Sequence, residues 1–341
     1  MAREYTIVKY ENREQWLAGR EAGIGSSEVG TILGINHFDS PLKLWRRKQK
    51  IDPPTEESAA MRRGHRMEIV VANDFAEATG AIIDNDSVDD WHAVDNAKPY
   101  LRVSPDRLWW PAGTPATEQT LDNAYILECK TCQGNVEPDD VFDAYPYWYP
   151  QIQYQMGVMR IKKCAIAWIN VANPDLPFRY KEVDFNEKYY NNVMLPKLDE
   201  FWNECIIGCV EPEEILDEED AKLKWSKSTA GSSVVMSAKL ALDVERYHAL
   251  KLQSKTMETE MSNIELAIRK ELGANETLLM PDGETEAATW KTFVTAGKFD
   301  SAKFKEENPE LYAKYVGDSK ETRRLVIKTL GGAKKKASTA A

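Results

Sequence analysis

Ser104-Pro105-Asp106-Arg107-Leu108 and, further along, Leu127-Glu128-Cys129-Lys130-Thr131 decide how this chain is read. Side chains on a strand alternate between faces, so Glu128 and Lys130 share one face while Leu127, Cys129 and Thr131 take the other. If Asp106 comes from the neighbouring strand, two carboxylates and the backbone carbonyl of Cys129 converge on one point. That is the hard-oxygen ligand set Mg²⁺ prefers. Lys130 would sit beside the metal, where it could steady or help activate a water attacking a phosphodiester. An E-x-K triplet on a strand also reads as a solvated ion pair. The apolar run Tyr125-Ile126-Leu127, however, places Glu128 where a sheet emerges from a core. The extended run Tyr100-Leu101-Arg102-Val103 ahead of Pro105 and Asp106 reads as a second strand ending in an acid.

The chain has 341 residues, 43% of them hydrophobic, with ten tryptophans. Such a length accommodates one large domain with an appendage or two domains, and the composition is that of a folded protein. No apolar run approaches the ~20 residues needed to span a membrane, and Met1-Ala2-Arg3-Glu4-Tyr5 opens no signal-peptide core. A cytoplasmic protein with no membrane contact is therefore expected. Five cysteines argue for reduced thiols rather than a disulfide framework. Cys129 with Cys132 and Cys205 with Cys209 could be read as zinc or iron–sulfur ligands, but also as small buried core residues. Net charge is −11, which excludes nucleic-acid binding by bulk attraction. Residues 286–341 hold 12 Lys and Arg against 7 Asp and Glu, leaving −16 on residues 1–285, so any DNA contact must come from local patches or a lined channel.

The pattern predicts helix from Glu11 to Leu33, interrupted at Gly23-Ile24-Gly25-Ser26-Ser27-Glu28, a serine-capped helix opening whose free N–H groups could hold a phosphate. A helix from about Ser58 to Thr79 carries Met61, His65, Glu68, Ala72 and Phe75 on one stripe. Glu68 on that inward face needs a metal, a lysine or one of the neighbouring arginines as a partner. A helix over Tyr145–Met159 sets Gln151, Tyr154 and Gln155 on one face. Strands Cys164–Val171 and Phe178–Phe185 and a helix from Glu187 to about Cys209 follow. The β–β–α–β order predicts an α+β fold, a central mixed β-sheet flanked by helices. Residues 1–210 are expected to form the core and 211–234 an acidic, then Ser/Gly-rich linker. Residues 235–330 read as a C-terminal extension with a long amphipathic helix, expected to pack on its own domain, and a small α+β segment. Residues 331–341 read as a disordered basic tail.

Trp16-Leu17-x-x-Arg20-x-x-x-Ile24-Gly25-x-Ser27-Glu28 with Gly34, then Glu68, Ser104-Pro105-Asp106, Glu128-Cys129-Lys130 and Gln151-x-Gln153-x-Gln155, resembles the YqaJ-like viral recombinase family. That family is related to the lambda-type phage exonucleases within the PD-(D/E)XK nucleases, and the likeness runs over about residues 10–205 in order and spacing. The resemblance implies a restriction-endonuclease-like core and a Mg²⁺-dependent exonuclease, with Mn²⁺ able to substitute. Such an enzyme degrades one strand of linear duplex DNA from its 5′ end to mononucleotides and leaves 3′ overhangs for single-strand annealing. Asp106 and Glu128 match the metal ligands, Lys130 the catalytic lysine, Glu68 the helical acid supporting the metal, and Gln151 the glutamine of the following helix. Arg20 and Ser27 match positions that grip the terminal 5′-phosphate. Where the family often has tyrosine before this glutamine, Trp148 stands between Tyr147 and Tyr149. Family members also resemble one another in forming ring-shaped trimers around duplex ends, in working with a single-strand-annealing recombinase, and in being encoded by phages or prophages in bacterial hosts. Two other readings compete, a structure-specific or restriction-type endonuclease with the same chemistry and a non-catalytic DNA-end scaffold.

Overall fold

The structure is a computed structural model, described over residues 3–53, 58–84, 91–172, 178–317 and 321–328. It divides into two units, 1–224 and 225–341. The first unit is built on a five-stranded mixed sheet in the order β2 (Ile82–Asp84), β5 (Arg107–Trp110), β6 (Tyr125–Cys132), β7 (Lys163–Asn170), β8 (Arg179–Asp184). Strands β6 and β7 are parallel and the other neighbours antiparallel. The parallel pair requires a crossover, supplied by α5 (Val141–Ala144) and α6 (Trp148–Met159). The central mixed sheet flanked by helices is the architecture the sequence predicts.

Strand β6 separates two cores. Leu127 and Cys129 pack with Val71, Ala72 and Phe75 of α4 (Ala59–Thr79). On the other face Ile126 joins the larger core that contains Ile152, Tyr154 and Met156 of α6. Ser58 caps α4 by accepting from the Met61 amide, and Gly80 ends it at φ 72°. The expected inward stripe on α4 is divided. Ala72 and Phe75 are buried, whereas Met61 and His65 are exposed and Glu68 is half-buried.

A second, three-stranded sheet joins β1 (Tyr5–Lys9), β3 (Trp91–Asp95) and β4 (Arg102–Val103), and α6 packs against β3 and β4. This corrects one expectation. The strand through Val103 pairs with β3, and Asp106 does not end it; Pro105, which lacks a ladder donor, lies in the crossing from the small sheet to β5. Arg107 then pairs with Leu127, so Asp106 lies at the level of Glu128.

The expected helix at 11–33 is two pieces, α1 (Arg13–Glu21) and the short α2 (Val29–Ile32), joined by a 3₁₀ turn at Ser26–Glu28. Helix α3 (Pro41–Lys48) follows, capped by Ser40. The run 187–207 is continuous helix, with α7 (Glu187–Tyr189) and α8 (Leu195–Glu200) alternating with π-helical turns. The acidic stretch expected to be a linker from 211 is docked on the first unit as far as Lys224. Within α9 (Glu218–Lys224), Asp220 is buried and accepts from the Ser40 hydroxyl at 2.5 Å, and Lys43 pairs with Asp217 and Glu219. Lys43 and Ser40 thus hold this stretch against the first unit, although Asp217 and Glu219 themselves stay exposed.

The second unit carries α10 (Ala238–Leu272), a hairpin of β9 (Thr277–Leu279) and β10 (Glu286–Thr289), α11 (Ser301–Glu307) and α12 (Pro309–Tyr315). Much of the apolar stripe of α10 is exposed rather than packed on its own unit as expected; Val244 and Ile268 are half-buried and Leu272 is its one buried residue. The tail at 331–341 lies outside the described residues.

Helix α2 passes so close to α6 that a Cβ on Gly30 would stand 2.8 Å from Cβ of Tyr147, whereas one on Gly64 of α4 would meet nothing within 4 Å. Gly30→Ala is expected to cost about 1–3 kcal/mol, and Gly64→Ala to stabilise by about 0.5–1 kcal/mol. Thermal unfolding of the two variants checks the opposite signs.

Candidate active site

Glu128 is 1% exposed, at the centre of β6 facing α6. A carboxylate so placed must be bonded on every side. Its Oε1 accepts from Lys130 Nζ at 2.6 Å and from Gln151 Nε2, and its Oε2 accepts from Gln155 Nε2 at 2.8 Å. Lys130 also donates to Oε1 of Gln151 at 3.2 Å. Gln151 and Gln155 lie one turn apart on α6, so both amides reach the same carboxylate. Gln155 further donates to the Ser26 hydroxyl at 3.3 Å, tying α6 to the turn after α1.

Asp106 arrives from β5 and accepts from the Cys129 backbone N–H at 2.7 Å. Burial, then repulsion from Glu128 and Glu68, pushes its carboxyl well above the ordinary aspartate range, against the pull of Lys130. Burial opposes charge on Lys130, but Glu128 and Asp106 outweigh it and raise the amine, which is therefore an ammonium at neutral pH. Burial and the same two carboxylates hold Cys129 as a thiol.

Asp106, Lys130, Gln151 and Gln155 line a cleft of about 820 Å³, with Glu128 buried directly behind them. Glu68 and His65 line it from α4, and Arg13, Trp16 and Arg20 line it from α1. Arg13 and Arg20 lie over the Trp16 ring at 4.1 and 5.7 Å, and Arg20 donates to the Ser27 hydroxyl at 2.6 Å. The turn at 23–28 is fixed by Glu28, which accepts from the Gly25 amide at 2.9 Å and pairs with Lys48 at 3.0 Å. It is thus a carboxylate-closed turn rather than the open helix start expected there. Tyr145, Tyr147 and Trp148 line the cleft, and Trp148 stacks on Tyr145 at 4.1 Å. Tyr149 packs instead with Phe142 and Tyr189.

The structure thus brings together Asp106, Glu128, Lys130, Gln151 and Glu68 around one cleft that also holds Arg20 and Ser27. Sequence reading missed Tyr10, Arg13, His92 and Arg102 in its lining. Arg13 had a signal, lying one turn before Trp16 and two before Arg20 on α1. His92 and Arg102 come from the small sheet and had none. The His92 imidazole, 3.0 Å from the Tyr10 hydroxyl, is lowered to about 4 by burial and by the cations Arg102 and Arg20, so it is neutral.

The cysteine alternative fails on geometry. Cys129 packs toward α4 while Cys132 packs with Trp148 on the other side. Among the described residues no three His, Cys, Asp or Glu side chains stand close enough to hold a metal by themselves. The donor set at Asp106 and Glu128 nevertheless suits a hard cation that completes its shell with a main-chain carbonyl and water. One observation favours a cation there: Oε1 of Gln155, buried beside Glu128, has no partner.

Residues 15–162 match the YqaJ-like viral recombinase domain. The chain is 25% identical over 331 residues to the uncharacterized protein YqaJ of Bacillus subtilis (strain 168), covering 93% of this chain and 94% of that one. Among solved structures it resembles an alkaline exonuclease from Laribacter hongkongensis at a TM-score of 0.43 and 17% identity, covering 62% of this chain and 97% of the other. It also resembles a phage related exonuclease from Haemophilus somnus 129PT at a TM-score of 0.37 and 12% identity, covering 55% and 96%. No described helix is long and apolar enough to cross a membrane.

A raised carboxyl favours the folded state below the unfolded aspartate pKa of about 4, and that benefit is lost as pH rises through the folded value. Without divalent cations, Asp106→Asn is therefore expected to melt above the wild type at neutral pH, with the gap closing toward pH 4. Melting curves across pH in a chelator check the sign.

Proposed function

From a chain that carries a YqaJ-like viral recombinase domain over residues 15–162, we propose a metal-dependent deoxyribonuclease that resects one strand of linear duplex DNA from the 5′ end. The observation that carries this reading is the buried constellation of Asp106, Glu128 and Lys130 opening onto a cleft whose other wall presents Arg20 and Ser27. Asp106 and Glu128, with the Cys129 carbonyl, would hold Mg²⁺, with Glu68 supporting the ion through its water, and Mn²⁺ would substitute. When bound, the ion supplies Lewis acidity toward the scissile phosphate and lowers the pKa of a water nucleophile.

The protein's own contributions are distinct. Lys130, held by Glu128 and Gln151, would stabilise negative charge developing on the phosphate. Gln151 and Gln155 hold Glu128 in place. Arg20, steadied by Ser27 and Trp16, presents a planar fork suited to a terminal phosphate. Arg13, Arg20, Arg102 and Lys130 supply local positive charge, which answers the problem set by the net charge of −11. The resulting 3′ overhang would serve a strand-annealing recombinase in a bacterial cytoplasm, and ring-shaped trimers would retain the duplex.

Lys130→Ala and Asp106→Ala are each expected to lower hydrolysis by at least about 10²-fold, and Lys130→Ala also to lower the melting temperature because it removes a donor from buried Glu128. Mg²⁺ is expected to raise the melting temperature of the wild type and not of Asp106→Ala. Digestion of linear duplexes with 5′-phosphate or 5′-hydroxyl ends, beside covalently closed circles, checks the rest. Faster loss of the phosphorylated strand, reduced by Arg20→Ala, with circles spared, is expected. Cut circles would point to an endonuclease, and no cutting to a scaffold.

A further inference from the structure

Helix α10 is 35 residues long and lies almost wholly in solvent. At 1.5 Å per residue it spans about 50 Å. One set of its apolar side chains follows a heptad, while the exposed Leu242, Leu252 and Leu266 lie off it. Tyr247, Leu250, Met257, Met261, Ile264 and Ile268 occupy alternating three- and four-residue steps, with Ser254 as the one polar member between them. Met257 and Met261 are each 62% exposed and Ile264 is 55% exposed. A seam of this length on a capped helix needs a cover, and its 3.5-residue period is the one a second helix matches.

The charges beside the seam identify the cover. In a parallel pair of identical helices, Arg246 would face Lys251 of the other copy and Glu260 would face Glu265, both repulsive. In an antiparallel pair with Tyr247 opposite Ile264, Leu250 falls opposite Met261 and Ser254 opposite Met257. Lys251 then meets Glu258 of the other copy, twice by symmetry, and no like charges meet. The helix halves agree. Residues 238–255 hold Lys239, Arg246, Lys251 and Lys255 against Asp243 and Glu245. Residues 256–272 hold Glu258, Glu260, Glu265 and Glu271 against Arg269 and Lys270.

We propose that α10 joins two copies of this chain as an antiparallel two-stranded coiled coil, with Met257, Met261 and Ile264 at its centre and Lys251–Glu258 pairs setting its direction. This interface is independent of the nuclease reading and is separate from any assembly made by residues 1–224. It would tie two catalytic units together through their C-terminal extensions.

The test is the molar mass of the full-length protein by light scattering at micromolar concentration and low salt. The wild-type particle is expected to contain twice as many chains as the Met257→Asp/Met261→Asp variant. Equal masses would overturn the proposal and mean that the seam is covered within its own chain. Lys251→Glu separates the two directions without weakening the helix, since both residues are good helix formers and the new carboxylate gains Lys255 one turn on. In the antiparallel pair Lys251→Glu shifts the equilibrium toward the smaller particle, and adding Glu258→Lys restores the larger one. If Lys251→Glu instead strengthens association, Arg246 faces position 251 and the helices are parallel, which overturns the assignment. Failure of the double variant to recover the larger particle overturns it too.

Discussion

The burial of one carboxylate organises this fold. Glu128 sits where strand β6 meets helix α6, and removing a charge from water there costs several kcal/mol unless donors replace the lost hydration. Two glutamine amides and an ammonium do so. The requirement fixes much else. The parallel crossover from β6 to β7 must place α6 over β6. The helix must present residues four apart toward it, and the turn after α1 must lie close enough for Ser26 to take the second Gln155 hydrogen bond. Tyr154 completes the tie, accepting from the Arg102 amide and donating to the Ile24 carbonyl at 2.7 Å.

A helix buried almost all round between two sheets is a costly place for amides, and each one on α6 has a stated use. Gln153 bridges the Asp184 carbonyl and the Asn186 amide, fixing the exit from β8, while Gln151 and Gln155 serve Glu128. The polar network therefore sets both the sheet's connections and the chemistry of the cleft. Chemically the site is poised by opposition: burial and crowding push Asp106 toward its neutral form, and the same carboxylates keep Lys130 charged. An acidic exterior does not prevent Arg13, Arg20, Arg102 and Lys130 from acting locally in the cleft, because fields decay within about 10 Å at physiological ionic strength.

Much of the site was legible because its chemistry is local in sequence. Alternation along a strand puts Glu128 and Lys130 together, and helical spacing puts Gln151 with Gln155; neither needs a partner to be known. The sheet followed from the β–β–α–β order. What misled was the place where the chain changes layers. Tyr100–Val103 has the pattern of a strand and is one, but it belongs to the small sheet, and only the path through Pro105 brings Asp106 to Glu128. The acidic run at 211–224 likewise has a linker's composition, yet Lys43 and Ser40 on the far side of the sequence recruit it to the surface of α3. Composition reports solvation preference and cannot report a distant counter-charge.

By itself, then, the sequence determined the periodic facts: the two-residue alternation that pairs Glu128 with Lys130, the glutamine spacing of α6 and the heptad of α10. These are set by backbone geometry, which every residue carries with it. Only the tertiary structure decided that α1, with Arg13, Trp16 and Arg20, closes the same cleft as β3, with His92, and β4, with Arg102. Such meetings depend on which sheet a strand joins, and that choice is made by packing energies summed over residues far apart in the chain.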